Sequence, residues 1–299
     1  VALATGGVNL DYNGEFIQAV GKWDVTLDAL FSSPRYTRNF FGLGNETVKT
    51  TDNLNFNRIQ QQIYAISTGL RKRIGNRSYF KINAQLENVK IDDLMDRFTN
   101  SENPQTRLAN FDDVGFVGGE LEFNYQNSDH IFVPTTGIHF NTALGYKANM
   151  KETDRDFAYG RASFGFYAGN KNVVLGSRVG TDHRFSDDYE FFQAATLGGS
   201  DNLRGFRDER FSGRTSFYHN TELRVKLFTT ESYYIPLTFG IIGGYDYGRV
   251  WMPDEESDKW HNAFGGGIWI SPFDAAVINI SMFHSGEENR FTLKGGFLF

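Results

Sequence analysis

The sequence predicts an all-β chain, a transmembrane antiparallel β-barrel. Three observations carry that prediction. Apolar and polar residues alternate with a period of two almost to the last residue, aromatic side chains collect toward the ends of the alternating segments, and the connections are short and long in turn. A period of two puts successive side chains on opposite faces of a strand. Fourteen such segments run near 8–20, 23–31, 35–45, 60–73, 78–90, 115–128, 137–148, 157–168, 173–184, 216–228, 239–251, 260–270, 274–284 and 290–299. They average about 11 residues, longer than the ~5–6 of soluble strands and close to the ~9–11 of a tilted membrane strand.

In chain order, Trp23 and Phe31 bracket the second segment, and the third and fourth follow it. Tyr79 opens the fifth, where Phe80, Ile82, Ala84 and Leu86 share one face and Lys81, Asn83, Gln85 and Glu87 the other. The sixth sets Val117, Leu121, Phe123 and Tyr125 against Glu120, Glu122, Asn124 and Gln126. The seventh sets Ile138, Phe140, Leu144 and Tyr146 against His139, Asn141 and Lys147. Segments 157–168 and 173–184 carry Arg161, Arg178, Asp182 and Arg184 on their polar faces. On 216–228, Leu223, Val225 and Leu227 face one way and Asn220, Glu222, Arg224 and Lys226 the other. On 239–251, Phe239, Ile241, Tyr245 and Tyr247 mark the apolar face, which puts Asp246 opposite them with Gly244 and Gly248. Trp251 and Trp260 flank the next connection, and the chain closes on the alternating run Phe291 to Phe299.

Alternation alone also fits a soluble sandwich. The aromatic ends match the interfacial girdles of a membrane barrel. One set of connections is mostly short (32–34, 74–77, 129–136, 169–172, 229–238, 271–273), and the other includes 46–59, 91–114, 149–156, 185–215, 252–259 and 285–289. Short turns on one side and longer loops on the other is the outer-membrane pattern. Backbone in lipid must be fully paired, so the sheet is expected to close.

Composition excludes other classes. With 16% aromatic residues the chain is not of disordered type, and without cysteine it has neither a disulfide framework nor a Cys-based zinc site. The most apolar stretches, such as Ile235–Ile242, are far shorter than the ~20 residues of a spanning helix. A net charge of −6 without a dense basic run argues against nucleic acid as partner. The six histidines lack metal-site spacing, Asp254-Glu255-Glu256-Ser257-Asp258 lacks the pattern of a calcium loop, and no nucleophile elbow or phosphate loop occurs. No catalysis, metal or cofactor is expected. The acidic run is expected to be a solvated outer loop, with loose divalent-ion or lipopolysaccharide-bridging contacts as its second reading.

Counting back from a C-terminus on the periplasmic side puts the turn at 5–7 on that side and makes Val1–Ala4 the tail of an earlier strand. Single-chain barrels have even strand counts. Fourteen strands plus a remnant predict a sixteen-stranded wall and one barrel domain over 1–299 that lacks its first strand and part of its second. The polar faces, lined by Lys81, Glu87, Glu120, Glu122, Lys147, Arg161, Arg178, Asp182 and Arg184, are expected to pair with one another in a hydrated lumen.

The longest connection, 185–215, contains Leu197-Gly198-Gly199-Ser200-Asp201-Asn202-Leu203-Arg204-Gly205-Phe206. With Asn220-Thr221-Glu222-Leu223-Arg224 and Gly244-Tyr245-Asp246-Tyr247-Gly248-Arg249-Val250-Trp251, this resembles the BamA-type superfamily, the bacterial surface antigen family. That family includes outer-membrane protein insertases, TamA-type assembly factors and two-partner secretion transporters. The resemblance covers essentially the whole chain and is strongest from 196 to 299. It implies a Gram-negative outer-membrane barrel whose long loop, carrying Gly198, Gly199, Arg204, Gly205 and Phe206, folds back into the lumen. Glu222 and Asp246 point inward from successive strands, so an arginine entering the lumen is placed to bridge them with its rigid fork of donors.

The resemblance further implies work on client outer-membrane or secreted proteins, with accessory assembly subunits, outer-membrane lipid and lipopolysaccharide as partners. It also implies a seam between first and last strands, where Gly295, Gly296 and Phe299 lie, that opens to admit client strands by β-augmentation. A bend that relieves crowding beneath the loop is the alternative reading of Gly295-Gly296. Asp11-Tyr12-Asn13-Gly14-Glu15-Phe16 and Asn39-Phe40-Phe41-Gly42-Leu43-Gly44-Asn45-Glu46-Thr47 resemble a narrower subgroup, in which the barrel often follows a calcineurin-like phosphoesterase domain. No βααββ pattern of the family's periplasmic POTRA repeats precedes the barrel in 1–299. A membrane anchor or secretion pore for an upstream phosphoesterase- or lipase-like domain is therefore the alternative function. A passive porin is disfavoured by the Arg-Gly-Phe loop.

Overall fold

The computed structural model describes residues 7–51, 53, 55–100, 102–104, 113–151, 155–230 and 235–298. Thirteen strands form one antiparallel sheet, each paired with the next along the chain. They are β1 (Val8–Val20), β2 (Trp23–Asn39), β3 (Arg58–Arg73), β4 (Tyr79–Ile91), β5 (Val114–Ser128), β6 (Gly137–Asn149), β7 (Phe157–Gly169) and β8 (Val173–Arg184), then β11 (Thr215–Thr230), β12 (Leu237–Trp251), β13 (His261–Pro272), β14 (Ile278–Ser285) and β15 (Asn289–Gly295). Strand β8 pairs directly with β11. The long connection between them carries its own two-stranded hairpin, β9 (Ala195–Leu197) and β10 (Phe211–Gly213). No helix among the described residues is long and apolar enough to cross a membrane.

The faces are inverted relative to a soluble protein. Leu121 is 48% exposed beside Glu120 at 6%, Leu223 47% beside Glu222 at 0%, and Tyr245 48% beside Asp246 at 0%. Apolar side chains coat the outside and charges are buried inside, as a lipid-facing wall requires. Many of the inward charges are paired: Lys81 Nζ lies 3.1 Å from Asp28, Arg161 2.6 Å from Glu120, Lys147 meets Glu87, and Arg184 meets Asp182. Tyr79 faces inward and donates to Glu122 at 2.9 Å, so it is not a girdle residue.

The sheet curls around its long loop. The β2–β3 connection reaches the far end of the sheet, where Asn45 Oδ1 accepts from Val250 N (3.1 Å) and Asn45 Nδ2 donates to Lys259 O (2.9 Å). Midway, Gly44 N donates to Ser212 O of β10 at 2.8 Å.

Three further sequence expectations are corrected. Segment 23–31 and the first part of 35–45 are one strand that ends at Asn39, so the described wall has thirteen strands rather than fourteen. The chain passes Pro34 without turning because the ladder shifts register between Ser32 and Tyr36, and a bulge tolerates the missing N–H. This merger reverses the side assigned to everything before residue 32, and it brings the two-residue turn 21–22 onto the short-turn side. The proposed remnant Val1–Ala4 lies outside the described residues. At the other end, the final strand stops at Gly295 rather than running to 299. Gly296 has φ +99°, a left-handed conformation that favours glycine, and Phe297 and Leu298 are buried.

Candidate functional site: an arginine clamp in the lumen

The long loop is held open inside the lumen by conformations only glycine adopts easily. Gly198 and Gly199 have φ of +125° and +95°, and a Cβ on Gly198 comes within 2.2 Å of Arg207 O. Asn202 Oδ1 accepts from Gly198 N at 2.8 Å and closes the turn. The wall grips the same turn, as Asn220 Nδ2 donates to Asn202 O at 2.7 Å. Gly205, at φ +90°, lies against Ala263 and His284 so closely that a Cβ comes within 2.8 Å of the Ala263 methyl. Ser285 Oγ donates to Gly205 O at 2.8 Å.

This backbone delivers Arg204 between β11 and β12. Its Nε and Nη2 donate to the two oxygens of Asp246, both at 2.7 Å, and its backbone N–H donates to Asp246 Oδ2 at 3.1 Å. Nη1 donates to Glu222 Oε2 at 2.8 Å. The guanidinium also lies over the Phe283 ring, 4.0 Å from its centroid. Gly244 makes the space, since a Cβ there comes within 2.6 Å of Arg204 Nη2. Phe206 continues the motif into an apolar cluster with Leu197, Leu203, Phe211, Val250 and Ala263, and His261 stacks on Phe211 at 3.6 Å.

The structure thus brings together Gly198, Gly199, Arg204, Gly205, Phe206, Glu222 and Asp246. It places Gly295 and Gly296 elsewhere, at the end of β15, where a Cβ on either meets nothing within 4 Å. Phe299 lies outside the described residues.

Sequence reasoning missed how far the clamp extends. Arg224 Nε donates to Glu222 Oε1 at 2.7 Å, and its guanidinium sits 3.8 Å from the Phe297 ring centroid. A chain of contacts therefore runs from Asp246 through Arg204, Glu222 and Arg224 to the inturned chain end. The strand alternation puts Arg224 inward, but nothing in the sequence marks Phe297 as its partner. A second clamp holds the loop's other limb. Arg210, 1% exposed, donates to both oxygens of Glu287 at 2.7 Å and to Thr47 Oγ1 and O at 3.0 and 2.8 Å. Glu209 pairs with Arg38 of β2, and Arg207 with Glu288 at 3.3 Å. Buried charges of this kind say little about net stability and more about a fixed position.

No group of three or more His, Cys, Asp or Glu among the described residues converges to hold a metal. A lipid-facing strand wall with a loop fixed in its lumen defines an outer-membrane β-barrel. The chain belongs to the Omp85 superfamily: the model described as the Omp85 superfamily domain matches residues 7–296. Among solved structures it is similar to BamA from Haemophilus ducreyi lacking POTRA domains 1–3, with a TM-score of 0.65 at 14% identity. That likeness covers 97% of this chain and 62% of the BamA chain. Comparison with curated proteins gave no match.

Proposed function

We propose that this barrel serves a Gram-negative outer-membrane machine that inserts client outer-membrane proteins or passes polypeptide across the membrane, without covalent chemistry. The observation that carries this reading is the Arg204 clamp: three side-chain hydrogen bonds to two fully buried carboxylates hold a glycine-hinged loop in the lumen. Such a plug narrows the route that a wide passive pore keeps open. A machine that handles strands needs a shaped, reproducible interior. Its partners on this reading are client proteins, accessory assembly subunits, outer-membrane lipid and lipopolysaccharide. The subgroup resemblance at Asp11–Phe16 and Asn39–Thr47 supports a second reading, a membrane anchor or secretion pore for an attached catalytic domain.

The test replaces the native copy in its host with Arg204→Ala and measures folded, heat-modifiable client outer-membrane proteins. Client levels are expected to fall while the variant's own barrel still folds, as judged by its own heat-modifiable shift. A folded Arg204→Ala barrel that sustains full client levels sinks the insertion reading. Loss of a surface-displayed or released passenger with unchanged clients selects the second.

A further inference from the structure

The periplasmic mouth holds a second constructed site. The β5–β6 turn folds across it, with Asp129 Oδ1 accepting from the backbone N–H of His130, Thr135 and Thr136 at 2.9, 2.9 and 3.2 Å. His130 Nδ1 accepts from Phe132 N and Val133 N, both at 3.2 Å. The turn so braced lays Val133 against Ile242, Trp269, Val277 and Phe297 on the opposite side of the mouth. Beneath it lies a cavity of about 420 Å³, within the size range of sites for small organic ligands.

The lining has two halves. Val133, Val174, Trp269 and Phe297 form an apolar floor, while Lys171, Lys226 and Arg224 bring positive charge and Asn172, Thr135 and Thr238 bring neutral donors. Among the described residues neither Lys171 nor Lys226 lies within ion-pair distance of a carboxylate, although the lining includes Asp129 and Asp274. Asp129 is taken up by its own turn. Two lysines beside an aromatic floor recognise an anion carried on an apolar body, because the floor gains from burial and the ammonium groups from charge-assisted hydrogen bonds. Nearby Asp129 and Asp274 penalise a dianion and so favour a single negative charge.

We propose that this cavity is a binding site for a monocarboxylate borne on an aromatic or aliphatic body, the chemistry shared by a polypeptide chain end and a fatty acid. It does not rest on the assembly reading, and its ligand touches the mouth and not the loop, although Arg224 and Phe297 in its lining are the far end of the clamp's chain of contacts.

The test uses the whole protein in amphipol, with saturation-transfer NMR and calorimetry. The probes are N-acetyl-L-phenylalanine, its amide, and hexanoate. The acids are expected to bind, with the amide about tenfold weaker, a difference of about 1.4 kcal/mol. The Lys171→Gln/Lys226→Gln double variant, its barrel still heat-modifiable, is expected to lose about tenfold in affinity for the acids. Preference for the aromatic acid points to a polypeptide end, and preference for hexanoate to a lipid source. Equal binding of acid and amide, unchanged affinity in the double variant, or no saturation transfer from either acid overturns the proposal.

Discussion

At the scale of residues, the clamp depends on shape as much as on charge. A lysine at 204 keeps the positive charge but replaces a planar fork with a point, so it cannot serve Asp246 through two parallel bonds and Glu222 through a third. Removing one partner from a buried ion network costs about 3–5 kcal/mol because the remaining charges stay desolvated. Arg204→Ala is therefore expected to open 200–210 to protease, with Arg204→Lys in between. Gly244→Ala removes no charge, yet its methyl meets Arg204 Nη2, so it is expected to loosen the same segment. Protease resistance at 200–210 equal to the native protein in Gly244→Ala contradicts this account of the glycine. The inward placement of Glu222 and Asp246 is legible in the sequence because their strands alternate cleanly. Arg210 and Glu287 are not, because each sits in a connection where no periodicity fixes a direction.

At the scale of elements, the loop is also tied to the last strand. Lys294 of β15 donates to Asp201 Oδ1 at 2.9 Å, and that hydrogen bond holds the Asp201 carboxyl below its ordinary value of 3.8. A lowered folded value means that the attraction is fully present above 3.8 and is lost as the pH falls through the lowered value. The Asp201 side chain is 83% exposed, so salt screens the pair and its share of stability is small. Lys294→Gln is expected to raise the Asp201 titration observed by carboxyl-detected NMR, and molar salt to do the same in the native protein. An unchanged titration in the variant dissolves the tether. The strands themselves show what sequence conveys and what it leaves out. Eleven of the wall strands match their alternating segments to within a few residues, but the join at Pro34 and the early stop at Gly295 do not. Both depend on the neighbour across the ladder: a register shift absorbs the proline, and Val277 O accepts from Gly296 N at 2.8 Å as the chain turns inward.

At the scale of the molecule, contacts among the described residues cross the lumen at both ends. Outside, the β2–β3 connection is clasped to the long loop through Arg210 and Thr47, and to β12 and β13 through Asn45. Inside, the β5–β6 turn and the chain end meet at the mouth. Planar-bilayer recordings are expected to show a low resting conductance that rises in Arg210→Ala, where the outer clasp is cut and Glu287 loses both of its bonds. A large, steady conductance in the native protein refutes the expectation that these contacts close the lumen. The family resemblance implies that the long loop enters the lumen, but the partners that tie each end are not legible, because alternation reports which way a side chain points and not which distant segment it meets.

The packing of Val133 on Phe297 also sets an order of events. The two residues are separated by more than half the polypeptide, and loop-closure entropy opposes their meeting until the intervening hairpins have formed. Until the segment after β15 has curled inward, the Phe297 side of that seat is missing for the β5–β6 turn. The inner door is thus expected to shut only after the strands between its two halves have paired, which leaves the interior accessible from below until then.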